Sequence, residues 1–281
     1  MRIILVFLPF LVGTTSSARI LAIYYFQMKS HYAFAQPLLM ELAERGHEVT
    51  VYTPFLKPKN QVVPNYKEFD TSMCFDLPMD YGNVEFMMSR FGDSIVSNTL
   101  VFPTVGALSA NQFETCEPLM VLLNSTERYD LFIAESFTSS GMLMFANKFN
   151  VPFIVTTPNV LNPVQAARVA NAANPSYVPT FAIVTALGYV STMNFFQRVV
   201  NCVTYVSMIF LQHTVTMRKE NEVIRHFLGP SAPSLDETVK NVSLIISNSD
   251  SIVNPAFPMV PSVIQASGMQ IKPAKALPKV R

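Results

Sequence analysis

"YYFQMKSHYAFAQPLLMELAERGHEVTVYTP", residues 24–54, holds one complete structural period. It begins in the apolar run of residues 18–26, "ARILAIYYF", which is rich in aromatic and β-branched side chains and reads as a strand buried on both faces. "QMKS" breaks the run, and Ser30 is placed to cap a following helix. From Tyr32 to Arg45 the apolar positions 34, 38, 39 and 42 recur with helical spacing. Pro37 threatens the early turns, and Gly46 suits the position just past the helix end. "HEVTVYTPF" is the next strand. Strand, helix and strand joined by short turns make a βαβ unit, the start of a doubly wound parallel sheet. His31 stands where the first strand gives way to the helix, a place where such folds meet their ligands.

The pattern repeats downstream. Helical text near residues 105–124 precedes the strand "YDLFIAES" (129–136). "SSGMLMFANKFN" (139–150) reads as a helix, "VPFIVTTPN" as a strand, and "SLDETVKNVSLIISNSD" as a helix or turn followed by a strand over 243–248. Five strands are therefore expected, near 19–26, 48–53, 130–135, 152–157 and 243–248, in one α/β Rossmann-like layer. Neither a G-x-G-x-x-G fingerprint nor a phosphate-binding loop follows the first strand.

Composition narrows the classes. The 281 residues are 50% hydrophobic and 14% charged, against about 25% charged in an ordinary soluble domain. With 20 basic and 19 acidic residues and no basic run, a nucleic-acid partner is not expected. Met1-Arg2, the apolar run Ile3–Val12 and the small residues Ser16 and Ala18 form a signal-peptide layout with cleavage after Ala18. The sequons at Asn124 and Asn241 agree with entry into the secretory pathway. Three cysteines, Cys74, Cys116 and Cys202, form neither a disulfide framework nor a metal site. One pair is free to bridge, and nothing in the spacing selects it. No cluster with metal-ligand spacing is present, so no metal is expected.

Residues 174–217 are uncharged except for Arg198. The length suits a membrane span, but Pro175, Pro179, Gly188, Asn194 and many Ser and Thr favour short helices that touch a membrane or line an apolar pocket. The proline-rich text from 261 onward, ending in scattered lysines, reads as a linker.

The ordered segments "SHYAFAQPLLMELAERGHEVTVYTP", "YDLFIAESF", "NKFNVPFIV", "NPSYVP", "NVSLIISNSD" and "PMVPSVIQASGMQI" resemble the UDP-glycosyltransferases of animals, and most of all the insect branch. The resemblance implies a two-half fold in which residues 19–260 form the N-terminal, acceptor-binding Rossmann-like half. Residues 1–18 would be the signal peptide and 261–281 the inter-domain linker. The nucleotide-sugar half, with its His-Gly-Gly signature and membrane anchor, has no counterpart in this sequence. It also implies an inverting transfer of a hexosyl or glucuronosyl group from a UDP-sugar co-substrate to a small lipophilic acceptor. No separate cofactor is required. Detoxification in the endoplasmic reticulum lumen, at the membrane, is the implied setting.

By this resemblance His31 is the general base and its acid partner lies just after the strand "YDLFIAES". Glu135 stands at that strand end. "TSS" at 138–140 carries no acid, although some insect relatives place an aspartate there, so Ser140 marks a departure. His47 reads as an exposed helix-end residue, and His213 and His226 fall on late helices. The acceptor pocket is expected within 84–113 and 174–197. The alternative is a non-catalytic short isoform that binds lipophiles or pairs with full-length relatives as a homo- or hetero-oligomer.

Overall fold

A computed structural model describes residues 17–74, 94–137, 139–171, 174–180, 183–184, 192–252, 254 and 257–272. The signal-peptide reading and parts of both expected pocket regions lie outside these residues. Among the described residues seven strands form one sheet: β1 Arg19–Ile23, β2 Glu48–Thr53, β3 Tyr66–Asp70, β4 Leu131–Glu135, β5 Phe153–Thr157, β6 Leu244–Ser247 and β7 Val263–Gln265. Every pairing is parallel, in the order β3-β2-β1-β4-β5-β6-β7. The five expected strands lie side by side within two residues of their expected starts. The two additional strands occupy the two edges. β3 is half-exposed and β7 has three residues, so neither carries an apolar run. β7 also places the beginning of the expected linker, from 263 to 265, in the sheet.

Alternation along the central strands divides the core between the two faces. Ile20, Ala22 and Tyr24 pack with Val49, Val51 and Ile133 on one face, where the helix α1 (Lys29–Glu44) lays down Tyr32, Ala35, Leu39 and Ala43. Leu21, Ile23, Tyr25, Phe132 and Ala134 point to the other face. There they meet α2 (Ile95–Gln112), α3 (Glu117–Leu123), α4 (Met144–Phe149), α7 (Arg218–Leu228) and α8 (Leu235–Val239). Covering both faces is what lets parallel strands be apolar throughout.

Two local expectations about α1 need correction. Ser30 does not cap it: Met28 occupies that position with no side-chain bond, and Ser30 is the second helical residue. The helix also runs straight through Pro37, which cannot donate to the Ala33 carbonyl, because its buried stripe anchors it on the sheet. Gly46 has φ +95°. Its N–H reaches the Ala43 carbonyl (3.0 Å) and the His47 N–H reaches that of Leu42 (3.1 Å), the paired bonds of a left-handed helix stop. His47 is half-buried rather than exposed, and its Nδ1 accepts from the Ala18 N–H (3.2 Å), which tethers the start of β1.

From Phe195 onward the stretch expected to form short helices is one rod. α6 (Phe195–Leu211) passes through a π-turn (Gln212–Met217) into α7, 34 residues in all. Asn194 opens it with a reciprocal cap: its Oδ1 accepts from Gln197 N–H, and Gln197 Oε1 accepts from Asn194 N–H. By length and composition the rod can cross a membrane, yet a row of polar side chains, Asn201, Thr204, Gln212, Thr216 and Glu220, faces the protein. Buried Asn201 accepts from the Thr180 N–H and donates to the carbonyls of Pro175 and Val178, which fastens "NPSYVP" to the helix. Phe195, Phe196, Val203, Val206 and Phe210 face outward and are more than 60% exposed. An apolar groove of about 510 Å³ runs between Val199 and Val203 of α6 and Ile95 and Val96 of α2.

Cys74 and Cys116 are buried and joined by a disulfide, while Cys202 is a free thiol. The bridge ties the segment after β3 to the start of α3.

Candidate active site

The chain runs outward from β1 through β2 to β3, then returns to place β4 on the other side of β1. At such a reversal the loops beyond the carboxyl ends diverge and leave a crevice. Both residues singled out in the sequence are there. Ile23, the last residue of β1, is level with Ala134, so Glu135 ends β4 one residue further on. His31 lies in the first turn of α1, not on a loop, and is 5% exposed.

Their side chains meet: His31 Nδ1 contacts Glu135 Oε1 directly. An ionised carboxylate only accepts, which assigns the proton to Nδ1 and leaves Nε2 with its lone pair. The ring is held on its flanks by Phe26, stacked at 6.1 Å, and by Phe137, edge-on at 4.9 Å. A histidine fixed by a carboxylate at one nitrogen and by aromatic rings on its faces is set up to take a proton at the other. Ser140 is buried, and its Oγ shares a hydrogen bond with Ser136 Oγ (2.5 Å).

Tyrosines nearby are ruled out as proton acceptors. Burial, opposed in part by the Thr156 hydrogen bond, pushes the Tyr24 phenol far above its ordinary value, and burial pushes Tyr25 up to about 12. Both stay neutral at any working pH. The cleft lined by Ile23, Tyr25, Phe26, Glu135 and Ser139 is about 10 Å³, room for one water. Among the described residues no group of three or more His, Cys, Asp and Glu side chains is placed to hold a metal.

Asn124 and Asn241 are exposed, just past the ends of α3 and α8. His213 and His226 lie away from the crevice, on the π-turn and on α7. Sequence reasoning missed Glu220 and Arg168. Glu220 is 0% exposed, and its Oε1 accepts from Ser139 Oγ (2.6 Å) and from the N–H groups of Ser140 (2.6 Å) and Gly141 (2.9 Å). The guanidinium of Arg168, at the end of α5 (Pro163–Arg168), donates to the hydroxyls of Ser136 and Ser140. Burial raises the Glu220 pKa and lowers that of Arg168. One signal pointed to Glu220: it continues the inward row Asn201, Thr204, Met208, Gln212 and Thr216 at spacings of three and four.

The family model described as "UDP-glucoronosyl and UDP-glucosyl transferase" matches residues 20–280. UDP-glycosyltransferase UGT5 of Dactylopius coccus is 37% identical over 95% of this chain and 50% of its own length. UDP-glucosyltransferase 2 of the same insect is 31% identical over 98% and 52%. The chain thus spans about half the length of the curated relatives it matches. A solved structure, UDP-glucose: anthocyanidin 3-O-glucosyltransferase in complex with UDP, aligns at a TM-score of 0.40 and 13% identity over 92% of this chain and 55% of its own. The match from residue 20 to residue 280 means that the chain belongs to the UDP-glucuronosyl and UDP-glucosyl transferase family.

Proposed function

We propose that this chain is the acceptor-binding part of an inverting UDP-glycosyltransferase, with His31 as general base and Glu135 as the carboxylate that orients it. The observation that carries the reading is the direct His31–Glu135 contact at the strand-order reversal. In the proposed step the acceptor O–H gives its proton to His31 Nε2 as its oxygen bonds to the anomeric carbon. The bond from that carbon to UDP breaks, and UDP leaves with the electron pair. Glu135 holds the tautomer and balances the imidazolium charge that forms. The UDP-sugar would be held by a second half facing this crevice, and the acceptor would be a small lipophilic alcohol or phenol.

The test uses this chain completed with a donor-binding half and a phenolic acceptor. His31→Ala is expected to lower the initial rate by roughly 10²–10⁴-fold, the range for a positioned base, with little change in acceptor affinity. Glu135→Gln is expected to cost less than His31→Ala. An unchanged rate in His31→Ala overturns the assignment.

Residence in the secretory pathway and contact with a membrane belong to the same proposal. The outward row of Phe and Val on α6 supports lipid contact through residues 174–217, since a helix with this pattern lies well at a bilayer surface. The buried Cys74–Cys116 disulfide and the exposed Asn124 and Asn241 support an oxidising lumen with glycosylation. Vesicle flotation and glycosidase sensitivity test these two points.

A further inference from the structure

We propose that Glu220 is a positioning residue for the His31–Glu135 pair. The inference rests on the reading of that pair as base and orienting acid. A carboxylate shut away from water is costly unless its bonds are made. Glu220 sits on α7, about 80 residues further along the chain than its partners, and gathers three donors on one oxygen. Two of them, the N–H groups of Ser140 and Gly141, open the short 3-10 turn Gly141–Leu143. Ser140, the residue placed to cap that turn, makes no such bond. Its hydroxyl is taken up by Ser136 and Arg168. The turn therefore borrows its acceptor from α7.

Glu220 reaches both segments that carry the pair. Through Ser140 and Gly141 it holds the chain five and six residues after Glu135. Its third donor, Ser139 Oγ, itself accepts from the Tyr25 hydroxyl (3.3 Å), and Tyr25 lies between the end of β1 and His31. The opposite side of the β4 loop is held from α5. Gln165 Nε2 donates to the carbonyl of Ser136, the residue immediately after Glu135, and Arg168 Nη1 donates to Ser140 Oγ. The loop is gripped between an anion on α7 and a cation on α5. Among the described residues, Arg168 Nε and Nη2 and Glu220 Oε2 are buried without hydrogen-bond partners. Burying two charges with unmet bonds is a poor route to stability. What the arrangement supplies is a fixed path for the chain that presents Glu135 to His31.

The experiment records the imidazole resonances of the full 281-residue chain labelled with ¹⁵N-histidine. A histidine Nδ1–H held by a carboxylate gives a downfield proton signal. Glu135→Ala should abolish it, and a signal that survives this change refutes the pair itself, separately from the role of Glu220. Glu220→Ala should also abolish it. Glu220→Gln keeps an oxygen for the three donors and should retain it. Val49→Ala, a cavity at the opposite end of the sheet, should lower the melting temperature and retain it. Positioning is overturned if the signal persists in Glu220→Ala, if it vanishes in Glu220→Gln, or if it vanishes in Val49→Ala. Should Glu220→Ala fail to fold, Ser139→Ala is read instead: it cuts the Tyr25 arm and should weaken and shift the signal, and an unaltered signal overturns the proposal.

Discussion

His31 reads in the sequence as a loop residue between a strand and a helix, and on that view its removal costs little stability. The structure assigns it a second task. At 5% exposure it is the hydrogen-bond partner of a Glu135 side chain that is itself only 9% exposed. His31→Ala leaves a buried carboxylate unpaired, and the expected cost is about 1–3 kcal/mol in urea unfolding. In a double-mutant cycle with Glu135→Ala the two losses should fall short of additivity, because either change alone already breaks the contact. Additive losses would mean that the side chains do not interact. Glu220 yields a pH prediction. Burial raises its pKa above the ordinary 4.5, against the opposing pull of Ser139 and Arg168. The folded state then binds the proton more tightly than the unfolded state. The stability that Glu220 contributes is greatest below the unfolded pKa and is lost as pH rises through the folded value. Gln at this position does not titrate. The melting temperature of Glu220→Gln minus that of the natural chain should therefore grow more positive between about pH 4 and 7, and a flat difference would contradict the shift.

The rod formed by α6, the π-turn and α7 inverts the usual amphipathic rule over part of its length. The inversion lies in α6, where Asn201 and Thr204 face the protein and Val203, Val206 and Phe210 face out; α7 keeps the ordinary order, with Val223 and Ile224 inside and Arg218, Glu222 and Arg225 outside. The inner row advances by four residues per turn from Thr204 to Glu220. In a pure α-helix at 3.6 residues per turn, those 16 positions would leave Glu220 about 160° away from Thr204. The π-turn underwinds the backbone and brings Glu220 back to the protein side. Asn201 shows what the inner row does. Asn201→Ala strands the Thr180 N–H and two carbonyls and should destabilise by about 1–3 kcal/mol. On the outer row, Val203→Lys with Val206→Lys should change stability by no more than about 0.5 kcal/mol, since exposed positions tolerate substitution. The same pair of changes should weaken vesicle binding in flotation. Undiminished flotation would remove α6 as the lipid contact.

Long-range closure gives the molecule its remaining staple. The Cys74–Cys116 bridge spans a separation of 42 residues. Chain-entropy reasoning puts its contribution near 4 kcal/mol, and measured losses for native bridges run about 2–5 kcal/mol. Cys116→Ser should lower the urea midpoint accordingly, whereas Cys202→Ser should leave it almost unchanged. Across the chain as a whole, short-range pattern was enough to find the parallel core. The runs at β1, β2, β4, β5 and β6 are apolar because each is covered on both faces, and that coverage leaves its mark in the text. The edge strands β3 and β7 are covered less and left no such mark. His31 and Glu135 were legible for the same reason: each stands at the end of a readable element, and the Rossmann-like pattern together with the family resemblance brings those ends into one crevice. Which cysteines pair, how Asn201 binds "NPSYVP", and that Glu220 is buried beneath the β4 loop were settled only by folding. These contacts join residues distant in the chain, and their partners carry no local periodicity. A charged helix such as "RKENEV" looks solvated until the position of its neighbours decides which carboxylate turns inward. Sequence alone determined the five central strands, because periodicity is a local property, and with the family resemblance it marked the two ends of the crevice; the tertiary structure alone decided what holds those ends in register, because that depends on which distant groups pack together.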